Sequence, residues 1–125
     1  MTEPPLRIVL VDDDPDALEL VTLILEGAGM SVRAAPGASD AFSQIQSFSP
    51  HVIVSDIGMP EEDGYSLIRR VRSLASDVRS TPAIALTAFS GPENRERALN
   101  AGFDLHIVKP SDPDRLVSAI RSLVA

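Results

Sequence analysis

The sequence predicts an α/β fold in which a five-stranded parallel sheet carries helices on both faces. Short apolar runs alternate five times with segments whose apolar residues recur at helical spacing. This alternation is typical of βα units and of a parallel sheet. Acidic residues directly follow the first and third apolar runs, which is where open α/β sheets bind ligands. At 125 residues, the chain has the size of one domain.

The first βα unit and the strand after it show clear local signals. The apolar run at residues 8–11 predicts a strand buried on both faces. A helix is expected over about residues 15–28, because Asp14 suits its N-cap and a proline suits its first turn. Residues 31–35 predict a weaker strand, and Arg33 in its middle favours an edge position.

The middle of the chain continues the alternation. Residues 38–48 carry apolar side chains at helical spacing and predict the second helix. The short apolar run at residues 52–54 predicts the third strand, and residues 67–74 predict the third helix. We expect a polar loop over residues 76–82, followed by the fourth strand over residues 83–86.

The last two units complete the pattern. Ser90 and Glu93 have the spacing of a capping box and predict a fourth helix that runs to about Ala101. That helix is poor in large apolar residues and rich in charge. Residues 105–108 predict the fifth strand, and Pro113 is expected to start the fifth helix.

The composition argues against several classes of function. The formal net charge of −7 repels phosphate backbones, so we expect no direct binding of nucleic acid. The absence of cysteine excludes disulfides and zinc–thiolate sites and fits a cytoplasmic protein. No apolar run exceeds four residues, so we expect no membrane-spanning helix, and we see no signal peptide. Residues 1–5 are expected to form a flexible polar tail.

Four of the predicted strands end in side chains that can serve one chemical site. The first and third strands end in Asp12, Asp13 and Asp56, and the fourth and fifth end in Thr87 and Lys109. Parallel strands bring their carboxyl ends to the same edge of a sheet, so these groups are expected to line one rim. Carboxylates gathered there repel each other unless a cation lies between them, and Mg²⁺ fits because it prefers oxygen ligands. A carboxylate beside Mg²⁺ can attack a phosphoryl group.

In these residues the chain resembles the receiver domain of two-component response regulators, the fold of the chemotaxis regulator. The resemblance covers about residues 6–124, and we therefore expect a receiver domain over residues 6–125. It is carried by Val11-Asp12-Asp13, Asp56-Ile57-Gly58-Met59-Pro60, Asp63-Gly64, Thr87-Ala88 and Lys109-Pro110. It implies a flavodoxin-like, doubly wound sheet in the order 2-1-3-4-5.

The resemblance also implies a role for each residue at the strand ends. Asp56 would be the phospho-acceptor, Thr87 the switch hydroxyl, and Lys109 the ion-pair partner of the phosphoryl group. The implied Mg²⁺ ligands are Asp12, Asp13, Asp56 and the backbone carbonyl of Gly58. The bond between Lys109 and Pro110 would be cis.

One position departs from the family pattern. His106 stands where the family usually has Tyr or Phe, whose ring swings inward after phosphorylation. Because His106 can become charged near neutral pH, we expect a partner-surface residue whose switching is weak or pH-sensitive. In the family, the residues at the positions of Gly58 and Phe89 tune hydrolysis of the phosphate. Gly58 offers no side chain and Phe89 can restrict water, and the sequence does not decide which effect dominates.

The implied function is a phosphorylation switch. A histidine kinase or histidine phosphotransfer protein would donate a phosphoryl group to Asp56 with Mg²⁺. The modified site would shift the surface of the fourth helix, fifth strand and fifth helix, which a downstream effector would read and through which the chain could dimerise. Such a domain assists its own phosphorylation and dephosphorylation but is not an enzyme that acts on a separate metabolite.

Three alternatives stay open from the sequence. The chain could be the receiver module of a hybrid sensor histidine kinase. It could be a Mg²⁺-dependent phosphatase or phosphotransferase with an Asp nucleophile, although such enzymes generally need an additional cap or substrate pocket. It could also be a scaffold that does not depend on phosphorylation.

Overall fold

Five parallel strands form the central layer of the structure, a computed structural model that describes residues 4–125. The strands are β1 (Arg7–Val11), β2 (Ser31–Ala35), β3 (Val52–Ser55), β4 (Ala83–Thr87) and β5 (Leu105–Val108). The helices are α1 (Pro15–Gly27), α2 (Ala38–Phe48), α3 (Gly64–Arg72), α4 (Pro92–Ala101) and α5 (Pro113–Leu123). The strand order is 2-1-3-4-5, as predicted. Residues 1–3 of the predicted tail lie outside the described residues.

The sheet separates two hydrophobic cores, because side chains alternate between its faces along each strand. In β1, Val9 and Val11 join the core beneath α2, α3 and α4, whereas Ile8 and Leu10 join the core beneath α1 and α5. The central strands β1, β3 and β4 are buried on both faces, which accounts for their continuous apolar runs. Arg33 is exposed in the edge strand β2, as its sequence predicted.

The predicted cap of α1 is confirmed. The Asp14 carboxylate accepts a hydrogen bond from the backbone N–H of Asp16 at 3.1 Å, and Pro15 occupies the first position of the helix. Asp63 caps α3 in the same way, because its carboxylate accepts from the backbone N–H of Ser66 at 2.8 Å. Each cap satisfies a backbone donor that has no partner within its helix.

Two local predictions were wrong. The capping box at Ser90 does not form, because α4 begins at Pro92 and places Gly91, with φ +94°, at the N-cap. Ser90 therefore lies one residue too early, and its backbone carbonyl instead accepts from the Asn94 side-chain amide at 2.6 Å. The predicted loop before β4 also contains a short 3₁₀ helix, Asp77–Ser80.

Gly64 is the point at which α3 approaches the backbone beyond β3. A Cβ at Gly64 would lie 2.3 Å from the backbone oxygen of Asp56 and 2.9 Å from the Cα of Ile57. The Gly64 N–H donates to the Ile57 carbonyl at 2.8 Å, which holds the two segments together. Only glycine fits this contact, and it fixes the height of α3 relative to the segment that carries Asp56.

We expect Gly64→Ala to lower the free energy of unfolding by about 1–3 kcal/mol, because the added methyl group overpacks this contact. Gly27→Ala is the matched control, since a Cβ there would meet nothing within 4 Å. The control variant should be as stable as the wild type or slightly more stable, because alanine favours helix. Urea unfolding measures both, and a Gly64→Ala midpoint equal to that of the control contradicts the close contact.

Candidate functional site

The register of β1 and β3 brings the predicted carboxylates together. Val11 lies opposite Ser55, so Asp12 and Asp56 leave the sheet side by side at its carboxyl edge. The backbone N–H of Asp56 donates to the Val11 carbonyl at 2.9 Å, which continues the ladder for one further step. This pairing fixes the backbone of both acidic residues before any side-chain contact is made.

Asp12, Asp13 and Asp56 form a compact acidic cluster. Each offers a carboxylate oxygen, and the three oxygens lie within 4.8 Å of one another. The Asp12 and Asp56 side chains are only 6% and 13% exposed, whereas Asp13 is exposed. Backbone N–H groups orient the carboxylates of Asp12 and Asp56. The Asp14 N–H donates to Asp12 at 2.9 Å, and the Ile57 N–H donates to Asp56 at 2.7 Å.

Lys109 joins two of these carboxylates. Its Nζ donates to Oδ2 of Asp12 and to Oδ2 of Asp56, the latter at 3.1 Å. Lys109 follows β5, and its backbone N–H donates to the Thr87 carbonyl at 2.8 Å, so its backbone is tied to the end of β4. The Lys109–Pro110 bond is cis. Lys109 is also the single lysine in the sequence, and apart from two histidines the other basic residues are arginines.

The electrostatics of the cluster favour the charged form of Lys109. Burial alone would lower the pKa of its ammonium group, but the hydrogen bonds and negative charges of Asp12 and Asp56 outweigh burial and raise the pKa. Because the pKa of Lys109 is raised in the folded state, the pairing contributes its full stabilisation at pH values below the ordinary lysine pKa of 10.5. The stabilisation is lost as the pH rises through the raised pKa. At neutral pH Lys109 therefore keeps its charged ammonium form.

The remaining predicted residues lie at the same edge but make other contacts. Thr87 is fully buried at the end of β4, and its Oγ1 accepts from the backbone N–H of Phe89 at 3.2 Å. His106, in β5, is half-buried, and its Nε2 lies 2.9 Å from the Phe89 carbonyl oxygen. Gly58 is exposed in the segment after Asp56. Within residues 4–125, no side-chain hydrogen bond joins Thr87 or His106 to the acidic cluster.

An apolar groove between α1 and α5 opens beside this edge. It has a volume of about 450 Å³, and Lys109 and Pro110 line one end of it. Leu20, on α1, also lines the groove and is 60% exposed. Leu23, on the same helix, is 60% exposed as well. Leu20 and Leu23 both face outward from α1, and their exposure was not predicted from the sequence.

The acidic cluster has the donor set of a divalent metal site. Three carboxylates face one lysine, so the group carries an excess of negative charge that a divalent cation can neutralise. Carboxylate oxygens are the ligands that Mg²⁺ prefers, and Mg²⁺ commonly takes only a few of them from the protein. The residues present therefore fit the predicted ion.

A doubly wound sheet in the order 2-1-3-4-5, with an acidic cluster and a lysine at its carboxyl edge, defines the class of chemotaxis-regulator-like signalling domains. The family model for the response regulator receiver domain matches residues 8–121. The chain therefore belongs to the response regulator receiver domain family, which serves two-component signalling. This is a family of signalling domains and not of classical enzymes.

Two relatives and one solved structure are similar to nearly the whole chain. An uncharacterized 14.6 kDa protein of Leptolyngbya boryana is 44% identical over 114 residues, which are 91% of this chain and 86% of that protein. The response regulator Rre1 of Synechocystis sp. is 36% identical over 97% of this chain but only 52% of its own length, so the chain spans about half of Rre1. The structure of the chemotaxis response regulator CheY4 of Vibrio cholerae is 28% identical, with a TM-score of 0.87 over 95% of this chain and 98% of that one.

Along residues 4–125, no helix combines the length and the apolar character that crossing a bilayer requires.

We expect MgCl₂ to raise the urea midpoint of the wild type relative to NaCl at equal ionic strength, because an ion bound only by the folded state stabilises that state. At about 100 times Kd the gain is about 2.7 kcal/mol. Asp13→Asn should show a smaller gain, since it removes one carboxylate of the cluster. Without Mg²⁺, the variant should be at least as stable as the wild type, because a like charge is lost. An equal Mg²⁺ response in both proteins contradicts the shared site.

Proposed function

We propose that Asp56 accepts a phosphoryl group and that the chain acts as a phosphorylation switch in two-component signalling. The observation that carries this proposal is the contact of Lys109 with both Asp56 and Asp12 at an acidic cluster. Strand order favours Asp56 as the acceptor, because β3 lies between β1 and β4. A phosphoryl group on Asp56 would have Asp12 and Asp13 on one side and Thr87 on the other.

The transfer step requires few changes at this site. An oxygen of Asp56 attacks the phosphorus of a phosphohistidine, so an O–P bond forms and the N–P bond of the donor breaks. The departing imidazole keeps the electron pair and takes up a proton. Lys109, already beside Asp56, neutralises the charge of the phosphoryl oxygens.

Mg²⁺ fits this scheme as the resident ion. Its proposed ligands are Asp12, Asp13, Asp56 and the backbone carbonyl of Gly58. When bound, it supplies further charge neutralisation at the phosphoryl oxygens. The chain's own contribution is to hold two carboxylates with backbone N–H groups before the ion or the donor arrives.

The output of the switch is proposed to pass through Thr87. Its hydroxyl can donate to a phosphoryl oxygen, because its present contact with the Phe89 N–H uses it only as an acceptor. Movement of Thr87 would pull on the segment that leads into α4. That helix buries only Ala98 and Ala101, so few apolar contacts oppose its shift. Phosphorylation shifts the equilibrium only by the difference between its interactions with the two states.

The proposed partners are a histidine kinase or a histidine phosphotransfer protein as donor, and a downstream effector as reader. The reading surface is α4, β5 and α5, which is also the proposed dimer contact. The charged residues Glu93, Arg95, Glu96 and Arg97 are exposed on α4. Contacts through this surface would therefore rely on charge complementarity, which favours specificity and association rate.

We place the receiver domain at residues 6–125 and propose that it catalyses only its own phosphorylation and dephosphorylation. The same chemistry holds if the domain is a module of a hybrid sensor histidine kinase. A phosphatase or phosphotransferase acting on separate substrates would instead turn over small phosphoesters.

Incubation with acetyl phosphate and Mg²⁺, followed by intact mass spectrometry, tests the acceptor. The wild type is expected to gain one phosphoryl group and Asp56→Asn none. Asp14→Asn is the matched control, because it alters a neighbouring carboxylate yet keeps a good N-cap for α1. This control should be phosphorylated like the wild type. An adduct that persists in Asp56→Asn would show that another residue is the acceptor. A wild type that gains no adduct would favour a scaffold that does not depend on phosphorylation.

The same samples test the dimer. Size-exclusion chromatography with light scattering should show a larger mass for the phosphorylated wild type than for Asp56→Asn treated identically. Equal monomer masses reject the dimer and leave the acceptor assignment intact.

A further inference from the structure

We propose that Arg97 and Tyr65 form a latch, which holds α4 against α3 while Asp56 is unphosphorylated and which opens when α4 shifts. The inference rests on the proposed function, because it names a contact that the phosphorylation-linked movement of α4 has to break. The proposed pull through Thr87 would act on the N-terminal end of α4, and the latch sets how much free energy that movement costs.

The latch consists of a guanidinium group over an aromatic ring. Cζ of Arg97, on α4, lies 4.4 Å from the centroid of the Tyr65 ring, on α3. This distance is within the range in which a cation is attracted to the face of an aromatic ring. Tyr65 is only 2% exposed although Arg97 lies at the surface, so the arginine side chain helps to cover the ring. The contact therefore ties a surface residue of α4 to a core residue of α3.

Tyr65 takes part in this contact through its ring and not through its hydroxyl. The hydroxyl oxygen is buried and has no hydrogen-bond partner within residues 4–125. A buried polar group without a partner lowers stability, so the hydroxyl does not account for the burial of this residue. The useful part of the side chain is the ring, which joins the core beneath α2, α3 and α4 and carries Arg97 on one face.

The C-terminal end of α4 is held firmly by another arginine. Nε and Nη2 of Arg72, on α3, both donate to the carbonyl oxygen of Gly102, at 3.0 and 2.8 Å. Nη1 of Arg72 donates to the carbonyl of Thr81, before β4, at 2.6 Å. Gly102 follows the last residue of α4 and has φ +129°, a conformation that glycine tolerates. One arginine therefore ties this end of α4 both to α3 and to the chain that leads into β4.

The N-terminal end of α4 has weaker restraints. Its N-cap, Gly91, makes no side-chain hydrogen bond. The helix buries only Ala98 and Ala101, and both lie within its last four residues, near the firm end. A shift of α4 relative to α3 is therefore opposed by few contacts besides the C-terminal anchor, and the stack of Arg97 on Tyr65 is one of them.

The consequence is a bias toward the resting position of α4. The stack lowers the free energy of that position and not the free energy of the shifted position. A phosphoryl group on Asp56 that favours the shifted position has to overcome this difference. Linkage makes the effect reciprocal. A variant without the stack should therefore bind a phosphoryl mimic more tightly, because the shift costs less free energy.

The affinity for beryllofluoride, a phosphoryl mimic, tests the latch by isothermal titration calorimetry in the presence of Mg²⁺. Arg97→Gln removes the cation and is expected to lower the dissociation constant of beryllofluoride roughly threefold. Arg95→Gln is the matched control, because it removes the same charge from an exposed position of α4 that has no aromatic partner among residues 4–125. Tyr65→Phe keeps the ring and removes only the hydroxyl. Both Arg95→Gln and Tyr65→Phe should bind beryllofluoride like the wild type.

Tyr65 also reports the latch directly, because it is the single tyrosine of the chain. Labelling with ring-¹³C tyrosine therefore gives the NMR signals of this ring alone. The signals should move in Arg97→Gln and when the wild type binds beryllofluoride, and they should stay in place in Arg95→Gln. Signals that Arg97→Gln leaves unmoved overturn the stack itself.

A double variant separates the latch from a general effect of Arg97. With Tyr65→Leu in place, Arg97→Gln should change the beryllofluoride affinity no further, because the ring is gone. A further effect in that background overturns the latch, as does equal tightening by Arg95→Gln. Arg97→Gln and Arg95→Gln are both surface changes, so they decide the latch even where Tyr65→Leu fails to fold.

The wild type distinguishes failure of the latch from failure of the proposed function. A wild type that does not bind beryllofluoride overturns the proposed function and this inference with it. Binding with equal affinities in the wild type and Arg97→Gln overturns this inference alone.

Discussion

The contact of one lysine with two largely buried carboxylates is the constraint on which the site depends. Lys109 extends from the end of β5 to Asp12 after β1 and Asp56 after β3, so one ammonium group connects three strands at the same edge. The carboxylates would otherwise repel each other in a poorly solvated position. Their attraction for Lys109 holds both side chains close enough to share a second cation with Asp13, and it places the ammonium where a phosphoryl group on Asp56 would need it.

This arrangement requires a rigid support, which the two cores provide. The central strands are buried on both faces, and the ends of these strands therefore move little relative to one another. Gly64 adds a second constraint, because it brings α3 against the backbone of Asp56 itself. The segment between Thr87 and α4 has the opposite character, with exposed residues and few apolar anchors. A rigidly held Asp56 beside a loosely held segment is the combination that would allow the proposed phosphoryl charge to shift a surface.

The sequence was sufficient for the strands, for most helix bounds and for the edge at which the functional residues meet. Continuous apolar runs and helical spacing are local signals, and the rule that parallel strands share a carboxyl edge brought Asp12, Asp56 and Lys109 together. The strand order came from the family resemblance. Contacts between loops could not be predicted, because they depend on how separate units pack. Asp63-Gly64 signalled only a turn. No local signal indicated that the Phe89 ring would contact Gly58. The single lysine was a further sequence signal for this edge. The chain otherwise uses arginine as its strongly basic residue, and its one lysine lies at the edge where the functional residues meet.

Direct titration of that lysine tests whether it holds the two carboxylates together. Because Lys109 is the single lysine, labelling with ¹³Cε-lysine gives one side-chain NMR signal for this residue. Its pKa should lie above the ordinary value of 10.5 in the wild type, fall in Asp12→Asn, and stay raised in Asp14→Asn. A wild-type pKa at or below the ordinary value, or one that Asp12→Asn leaves unchanged, would show that Lys109 does not hold these carboxylates together.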